Sequence, residues 1–355
     1  MPYKVFQWAS GTVGRHAATV TLERDNLELV GLHTLSAAKI GQDVGTILDT
    51  GTGTGTGTGT VGVTATGDIA TVLDSAADVV IHTPLPSLVY GDNPEQDLED
   101  ICRMLAAGKN VITVVGYMYP KAHGQGLVDR LQAACAEGSS SFHSTGLNPG
   151  WMGDLIPLTM SALSRTIERI HVLEISNFQG YPSPEIMFEA MGFGSEPEEF
   201  ERSGERRRNW LNGLFRESVQ MVADGIGLEL DDVSSQVHIE LAPEDLQTAA
   251  GLVRKGTVAG QHWEWAGQRN GTKRVIHETV WRMHQSVAPH WATGNHSVTI
   301  DGSPRMRLEF APDYISDGLL GTAMHAVNAI AYVCDAQPGI RTLLDLPWVM
   351  GRVAK

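Results

Sequence analysis

Short apolar runs alternate with amphipathic stretches through the first half of the chain, whereas the second half is dominated by alternating segments that follow one another directly. Residues 4–8, 27–34, 79–83, 110–114 and 140–144 read as strands, and 14–24, 96–107 and 124–137 as helices between them. Strands separated by helices predict a doubly wound parallel sheet of α/β type. Beyond Pro149, residues 168–178, 236–242, 256–267, 273–284, 295–302 and 306–312 alternate with period two and lack intervening helices. They predict a second, α+β domain on a mostly antiparallel open sheet, with a hairpin connection in GQRNGTKR (residues 267–274). Helices are expected at 153–164, at the charged stretch 205–225, read as a solvated face, and at the apolar stretch 317–335, which Pro338 and Gly339 stop. The last helix is expected to return to the first domain. The boundaries are therefore 1–150 completed by 315–355, and 151–314.

Residues 50–60 form a perfect Thr-Gly repeat. Glycine at every second position loses too much backbone entropy to hold a strand, so a surface loop is expected, with a cradle of backbone amides as the alternative. A formal net charge of -15 opposes binding to nucleic acid. Cys102, Cys135 and Cys334 lie far apart, which points to buried thiols in a reducing compartment. The N-terminus carries no secretory pattern, and no apolar run reaches the roughly 18 residues of a spanning helix, so a cytoplasmic protein without a membrane partner is expected. No spacing suggests a metal site, and no GxSxG elbow is present.

The strand at 4–8 runs into ASGTVGR and then a helix. Ser10, Gly11, Thr12, Val13, Gly14 and Arg15 occupy the place where a glycine loop and a helix N-terminus receive a pyrophosphate, although Ala9 stands where the first glycine of GxGxxG would be. A dinucleotide is the expected cofactor. No acid ends the second strand to bind a ribose hydroxyl; Ser36 and Lys39 lie there instead, near Arg15. NADP(H) is thus expected over NAD(H). His33 either faces the adenine or is a buried structural residue.

SGTVGR, GKNVITVVGYMYP, STGLNPGWMGDLIP, MGFG and the terminal HAVNAIAYVCDAQPGIRTLLDLP together resemble the dihydrodipicolinate reductase-like oxidoreductases, nearest the branch of 2,4-diaminopentanoate dehydrogenase and the native amine dehydrogenases. The resemblance implies a Rossmann dinucleotide-binding domain and a substrate domain whose open sheet forms a homodimer. It also implies a nicotinamide in the interdomain cleft near Thr83, Pro84, Gly116, Asn148, Pro149 and Gly150. The paired histidines and lysine of true dihydrodipicolinate reductases have no counterpart. The glutamate that follows the strand in amine-forming members is replaced by Val115, Gly116 and Tyr117.

The expected reaction is hydride transfer to or from a carbonyl, imine or activated double bond of a small, largely uncharged substrate. Tyr117 and Asn148 are the candidate catalytic residues; Asn148 also borders the cofactor or forms an Asx turn, and Tyr119, Tyr181, His143 and His277 stand in reserve. Trp263, Trp265 and Trp281 build either a core or a pocket wall. The alternatives are an amine dehydrogenase with a displaced carboxylate, Glu185 or Asp154, and a non-catalytic NADP(H) sensor.

Overall fold

The computed structural model describes residues 1–49, 59–202, 204–311 and 317–352. Of the repeat at 50–60, only Gly59 and Thr60 fall among them. In chain order the first elements are β1 (Tyr3–Trp8), α1 (Thr12–Glu23), β2 (Leu27–His33), α2 (Val44–Asp49), β3 (Ala65–Thr66), α3 (Ile69–Leu73), β4 (Val79–His82), α4 (Ser87–Tyr90), α5 (Gln96–Ala106), β5 (Asn110–Thr113), α6 (Gln125–Gly138) and β6 (Ser141–Ser144). After them come α7 (Ile156–Ser161), β7 (Thr166–Asn177), α8 (Pro197–Arg202), α9 (Glu205–Gly225), β8 (Asp232–Leu241), β9 (Leu246–Gln247), β10 (Leu252–Val253), β11 (Val258–Arg269), β12 (Thr272–Arg282), β13 (Ser297–Ser303), β14 (Met306–Glu309), α10 (Gly318–Cys334) and β15 (Gly339–Ile340).

The chain divides into two compact units: Met1–Pro86, Glu95–Trp151 and Asp317–Lys355 form one, Ser87–Pro94 and Met152–Ser316 the other. In the first, strands in the order β15-β6-β5-β4-β1-β2-β3 make a parallel sheet. Val5, Phe6, Gln7 and Trp8 are all buried, as a central strand covered on both faces requires. One face of the sheet, with Val5, Val79, Ile81 and Ile112, packs on Ala323, Ala326, Val327, Ile330 and Val333 of α10. The other face places Phe6, Val80, Val111 and Phe142 against Ile101, Met104 and Leu105 of α5 and Leu131 of α6. Gly31 makes room for this core, since a Cβ there would lie 2.2 Å from the Phe6 ring.

The second unit carries a six-stranded sheet in the order β14-β13-β7-β12-β11-β8. Its pairs are antiparallel except β7 with β12, which run parallel and make the sheet mixed. The β11–β12 hairpin turns on Asn270 (φ 53) and Gly271 (φ 71), the left-handed pair of a two-residue turn. The tryptophans belong to the core: Trp263 stacks on Trp265 at 5.3 Å and Trp265 on Phe215 of α9 at 4.0 Å. The indole nitrogens of Trp263, Trp265 and Trp281 donate to Gln261, Asn212 and Glu174 respectively, so these buried N–H groups are satisfied. Helix α9 departs from the expected solvated face at Arg207, which is buried, lies 4.6 Å over the Phe200 ring and donates to the Phe200 carbonyl.

On the face of this sheet opposite α9, Glu278 accepts hydrogen bonds from Nε2 of His171 (2.8 Å) and of His262 (2.7 Å). Those two bonds outweigh burial and pull its carboxyl down from 4.5 to about 2. A carboxyl depressed by folding stabilises the native state above its unfolded value and loses that contribution as pH falls through its folded value. Glu278→Gln should therefore lower the melting temperature at pH 7, and the gap from the wild type should close as pH falls from 4.5 towards about 2. Calorimetric melting curves across that range check the expectation.

Candidate functional site

The carboxyl ends of the parallel strands gather Trp8, His33, His82, Thr113 and Ser144 on one edge of the first sheet. Trp8 stacks on His33 at 3.8 Å, and burial depresses the His33 imidazole, so it is a neutral packing partner. His82 shares a hydrogen bond with Thr113 (2.9 Å) and is fully buried, which takes its pKa down to about 3. Asp97 lies 3.9 Å away, beyond hydrogen-bond reach; desolvation wins, and that contact is not an ion pair between charges.

The loop after β1 bends at Ala9, a non-glycine residue with φ 76. Gln7 Nε2 holds this bend by donating to the carbonyls of Trp8 (2.9 Å) and Ala9 (3.1 Å) and to Thr83 Oγ1 (2.9 Å). Thr83 in turn donates its hydroxyl and its amide to the Trp8 carbonyl, tying the end of β4 to the end of β1. Gly14 is required by contact, because a Cβ there would lie 2.1 Å from the Ala9 carbonyl oxygen. Gly11 caps α1 with nothing within 4 Å of where its Cβ would stand. Thr12 and Val13 form the first turn of α1, half-buried.

Ser10 is buried and shares a hydrogen bond with Thr34 (3.0 Å). Lys39 folds back over it, with Nζ donating to the Ser10 carbonyl (3.2 Å) and hydroxyl (3.1 Å). Burial, and then the charge of Arg15, lowers the Lys39 pKa. The two cations are therefore neighbours, and among the described residues neither forms an ion pair; Arg15 Nε is buried without a hydrogen-bond partner. Ser36 is exposed and joins the group through its backbone: its amide donates to Thr34 Oγ1 and its carbonyl accepts from the Lys39 amide.

Past β5 the chain turns through Gly116 (φ 137) and Tyr117 (φ 67), and Ser144 donates to the Gly116 carbonyl at 2.6 Å. Tyr117 is half-buried, edge-on to His123 at 6.2 Å. Val115 and Tyr119 are buried, and none of residues 115–119 is an acid. Past β6, Asn148 and Pro149 are extended and Gly150 takes φ 124, a conformation that demands glycine although a Cβ would find ordinary contacts. Thr145 shares a 2.6 Å hydrogen bond with His325 of α10, whose burial brings its pKa to about 4. The proposed loop, Thr83, Pro84 and the two later turns thus share one sheet edge.

Apart from Tyr119, the reserve candidates lie elsewhere. His143 is fully buried against the Arg341 carbonyl, with a pKa near 4. In the second unit Asp154 is wholly buried and accepts from Ser218 Oγ at 2.5 Å, with His277 Nε2 3.2 Å from the same hydroxyl. Burial drops the His277 pKa to about 3, so this triad is a neutral histidine and a buried acid bridged by serine. Glu185 is exposed and accepts from Ser183, and burial raises Tyr181 to about 12. Among the described residues no three His, Cys, Asp or Glu side chains are placed to hold a metal, and no helix is long and apolar enough to cross a membrane. Gln7 and His325 were not singled out in the sequence; a glutamine inside an apolar strand is the signal that marks the first.

Gly14→Ala should cost about 1–3 kcal/mol of stability, because the new methyl meets backbone rather than a flexible side chain. Urea unfolding of the variant checks this; an unchanged midpoint would mean that the loop yields freely.

Residues 151–354 match the model of the 2,4-diaminopentanoate dehydrogenase C-terminal domain. An amine dehydrogenase of Streptomyces virginiae is 29% identical over 96% of this chain and 95% of its own. A 2,4-diaminopentanoate dehydrogenase of Acetoanaerobium sticklandii is 27% identical over 97% and 93%. Among solved structures, an amine dehydrogenase from Mycobacterium smegmatis covers 99% of this chain and 98% of its own with a TM-score of 0.80 at 20% identity. A biliverdin reductase from Synechocystis covers 97% and 94% at a TM-score of 0.56 and 13% identity. With a Rossmann-type sheet in its first unit, the chain belongs to the 2,4-diaminopentanoate dehydrogenase family and is an NAD(P)-dependent oxidoreductase.

Proposed function

We propose that this oxidoreductase prefers NADP(H) to NAD(H) and acts on a carbonyl, imine or activated double bond of a small, largely uncharged molecule. The observation that carries the cofactor reading is the Arg15 and Lys39 pair beside Ser10, two neighbouring cations without an acid. A 2′-phosphate there would meet positive charge and the Ser36 hydroxyl, whereas an NAD-binding site would offer a carboxylate. The open space at Gly11 and the orphaned Arg15 Nε fit a pyrophosphate and its neighbour. In this reading Ser10, Gly11, Thr12, Val13 and Gly14 cradle the dinucleotide, and Thr83, Pro84, Gly116, Asn148, Pro149 and Gly150 border its nicotinamide, which supplies or accepts the hydride.

The chain's own part in the reaction is to orient the substrate and to balance charge. The Asn148 amide holds a substrate oxygen or the nicotinamide carboxamide, and the Tyr117 hydroxyl donates to the oxygen or nitrogen that gains electrons. The turn at Val115, Gly116 and Tyr117 has no acid, Asp154 is bound to Ser218, and Glu185 lies in the open. An iminium held at the turn beyond β5 would get no carboxylate from the turn's own residues. Residues 1–150 with 315–355 are the dinucleotide-binding domain and 151–314 the substrate and dimerisation domain of a cytoplasmic homodimer. Half-buried Leu173 and Ile175, on the sheet face opposite α9, support that dimer surface; a monomer in sedimentation would overturn it.

A second reading, oxidation of amines or reductive amination, is favoured by the names of both curated relatives. Two measurements decide. Fluorescence titration should show tighter binding of NADPH than of NADH, and Arg15→Ala with Lys39→Ala should remove about 1–3 kcal/mol from NADPH binding alone; an NADH preference refutes the cofactor reading. Assays with ammonia and a panel of ketones should give little turnover, and rates on the order of 1 per second or more would establish the amine reading.

A further inference from the structure

The segment that leaves β6 carries Asn148, Pro149 and Gly150, and two of its residues are tied to α10. Thr145, the first residue past β6, is 2% exposed, and its Oγ1 lies 2.6 Å from Nδ1 of His325. Leu147 closes on the same helix where glycines keep it narrow: a Cβ at Gly318 or Gly321 would stand 3.4 or 3.2 Å from the Leu147 side chain. The turn then folds back on Thr145. The Trp151 amide donates to the Gly146 carbonyl at 3.0 Å, and a Cβ at Gly150 would lie 3.5 Å from the Thr145 carbonyl carbon and 3.6 Å from its Oγ1.

Packing does not account for a histidine at this place in α10. Ala323, Ala326, Val327 and Ala329 around it are buried apolar residues, and its own Nε2 is buried without a well-formed hydrogen bond. A hydrocarbon would fill the position without that cost. The polar neighbours of the ring both belong to the turn: the Thr145 hydroxyl and the Gly146 carbonyl. Burial outweighs the carbonyl and brings the imidazole to about 4, so the ring is neutral. It can orient a hydroxyl without adding a positive charge at an edge where an oxidised nicotinamide, itself a cation, would be repelled.

We propose that His325 is a positioning residue for hydride transfer: acting through Thr145, it fixes the turn of Asn148, Pro149 and Gly150 beside the nicotinamide. The inference rests on the reading that places the nicotinamide at this turn. Gly146 and Gly150 leave the segment little stiffness of its own, so its geometry is set by what it is tied to. Without its partner on α10 the Thr145 hydroxyl would be buried and unsatisfied, and its side chain would turn to find another acceptor next to the Gly150 backbone. A displacement of about 1 Å is enough to spoil the alignment that hydride transfer needs.

The emission lifetime of bound NADPH tests the assignment, because the light comes from the reduced nicotinamide and reports how rigidly that ring is held. Adenosine 2′,5′-bisphosphate, which lacks the nicotinamide, is the companion ligand. His325→Leu and Thr145→Val should each shorten the lifetime and weaken NADPH by about threefold or more, with the bisphosphate bound within about twofold of the wild type. Thr145→Ser, which keeps the hydroxyl, and His325→Asn, which offers Oδ1 in place of Nδ1, should restore both quantities. If His325→Leu fails to fold, Thr145→Val against Thr145→Ser makes the same comparison. An unchanged lifetime in the Leu and Val variants, a parallel loss of the bisphosphate, or no recovery in the Ser and Asn variants overturns the proposal. Asn148→Ala separates it from the cofactor reading. If that variant alters the lifetime and the others do not, only the positioning role falls; if none does, the nicotinamide does not lie at this turn and both fall.

Discussion

One carboxamide holds the first unit's strand ends in register. Gln7 lies inside a buried strand where a hydrocarbon would pack as well, yet its Nε2 reaches the carbonyls of Trp8 and Ala9 and the hydroxyl of Thr83. Buried carbonyls at the end of a strand must find donors. Satisfying them from within β1 leaves the Ala9 bend closed and the outer side of the loop free, and it fixes β4 beside β1 at the point where the strand order changes direction. The contact between Gly14 and the Ala9 carbonyl then sets how closely α1 approaches. The amide face of α1, the position of Ser10 and the reach of Lys39 all depend on that bend.

Charge is distributed unevenly around this frame. The chain is strongly acidic overall, but Arg15 and Lys39 place two cations near the start of α1. The histidines near the strand ends do the reverse. Burial keeps His33, His82, His143 and His325 in the neutral form, so they act as hydrogen-bonding and stacking groups rather than as cations.

Much of this was legible in the sequence because it depends on local pattern. The apolar run before ASGTVGR, the Asn270-Gly271 turn and the apolar helix that returns through residues 318–334 are all encoded by neighbours in the chain. What was not legible depends on distant partners. The parallel pairing of β7 with β12 leaves no mark in either strand, since period two is the same for both orientations. The segment Ser87–Pro94 sits between Rossmann elements in sequence but folds with the second unit. The burial of Arg207 and Asp154 follows from Phe200 and Ser218, which no spacing announces. Lys39 and Arg15 were singled out by their places after the second strand and after the last glycine; only the fold shows Lys39 folding back onto Ser10.

The order of the chain has a consequence for its synthesis. Helix α10 covers Val5, Val79, Ile81 and Ile112, yet it is made after the entire second unit. Until the ribosome has passed Val333, that apolar face of the first sheet has only Val13, Ala17 and Val20 of α1 against it, and β7 likewise waits for both β12 and β13. Pairings between such distant segments form late because the intervening loop must be closed first. The first unit therefore cannot close until the chain is nearly finished, and one face of its sheet stays partly bare while the whole second unit is made.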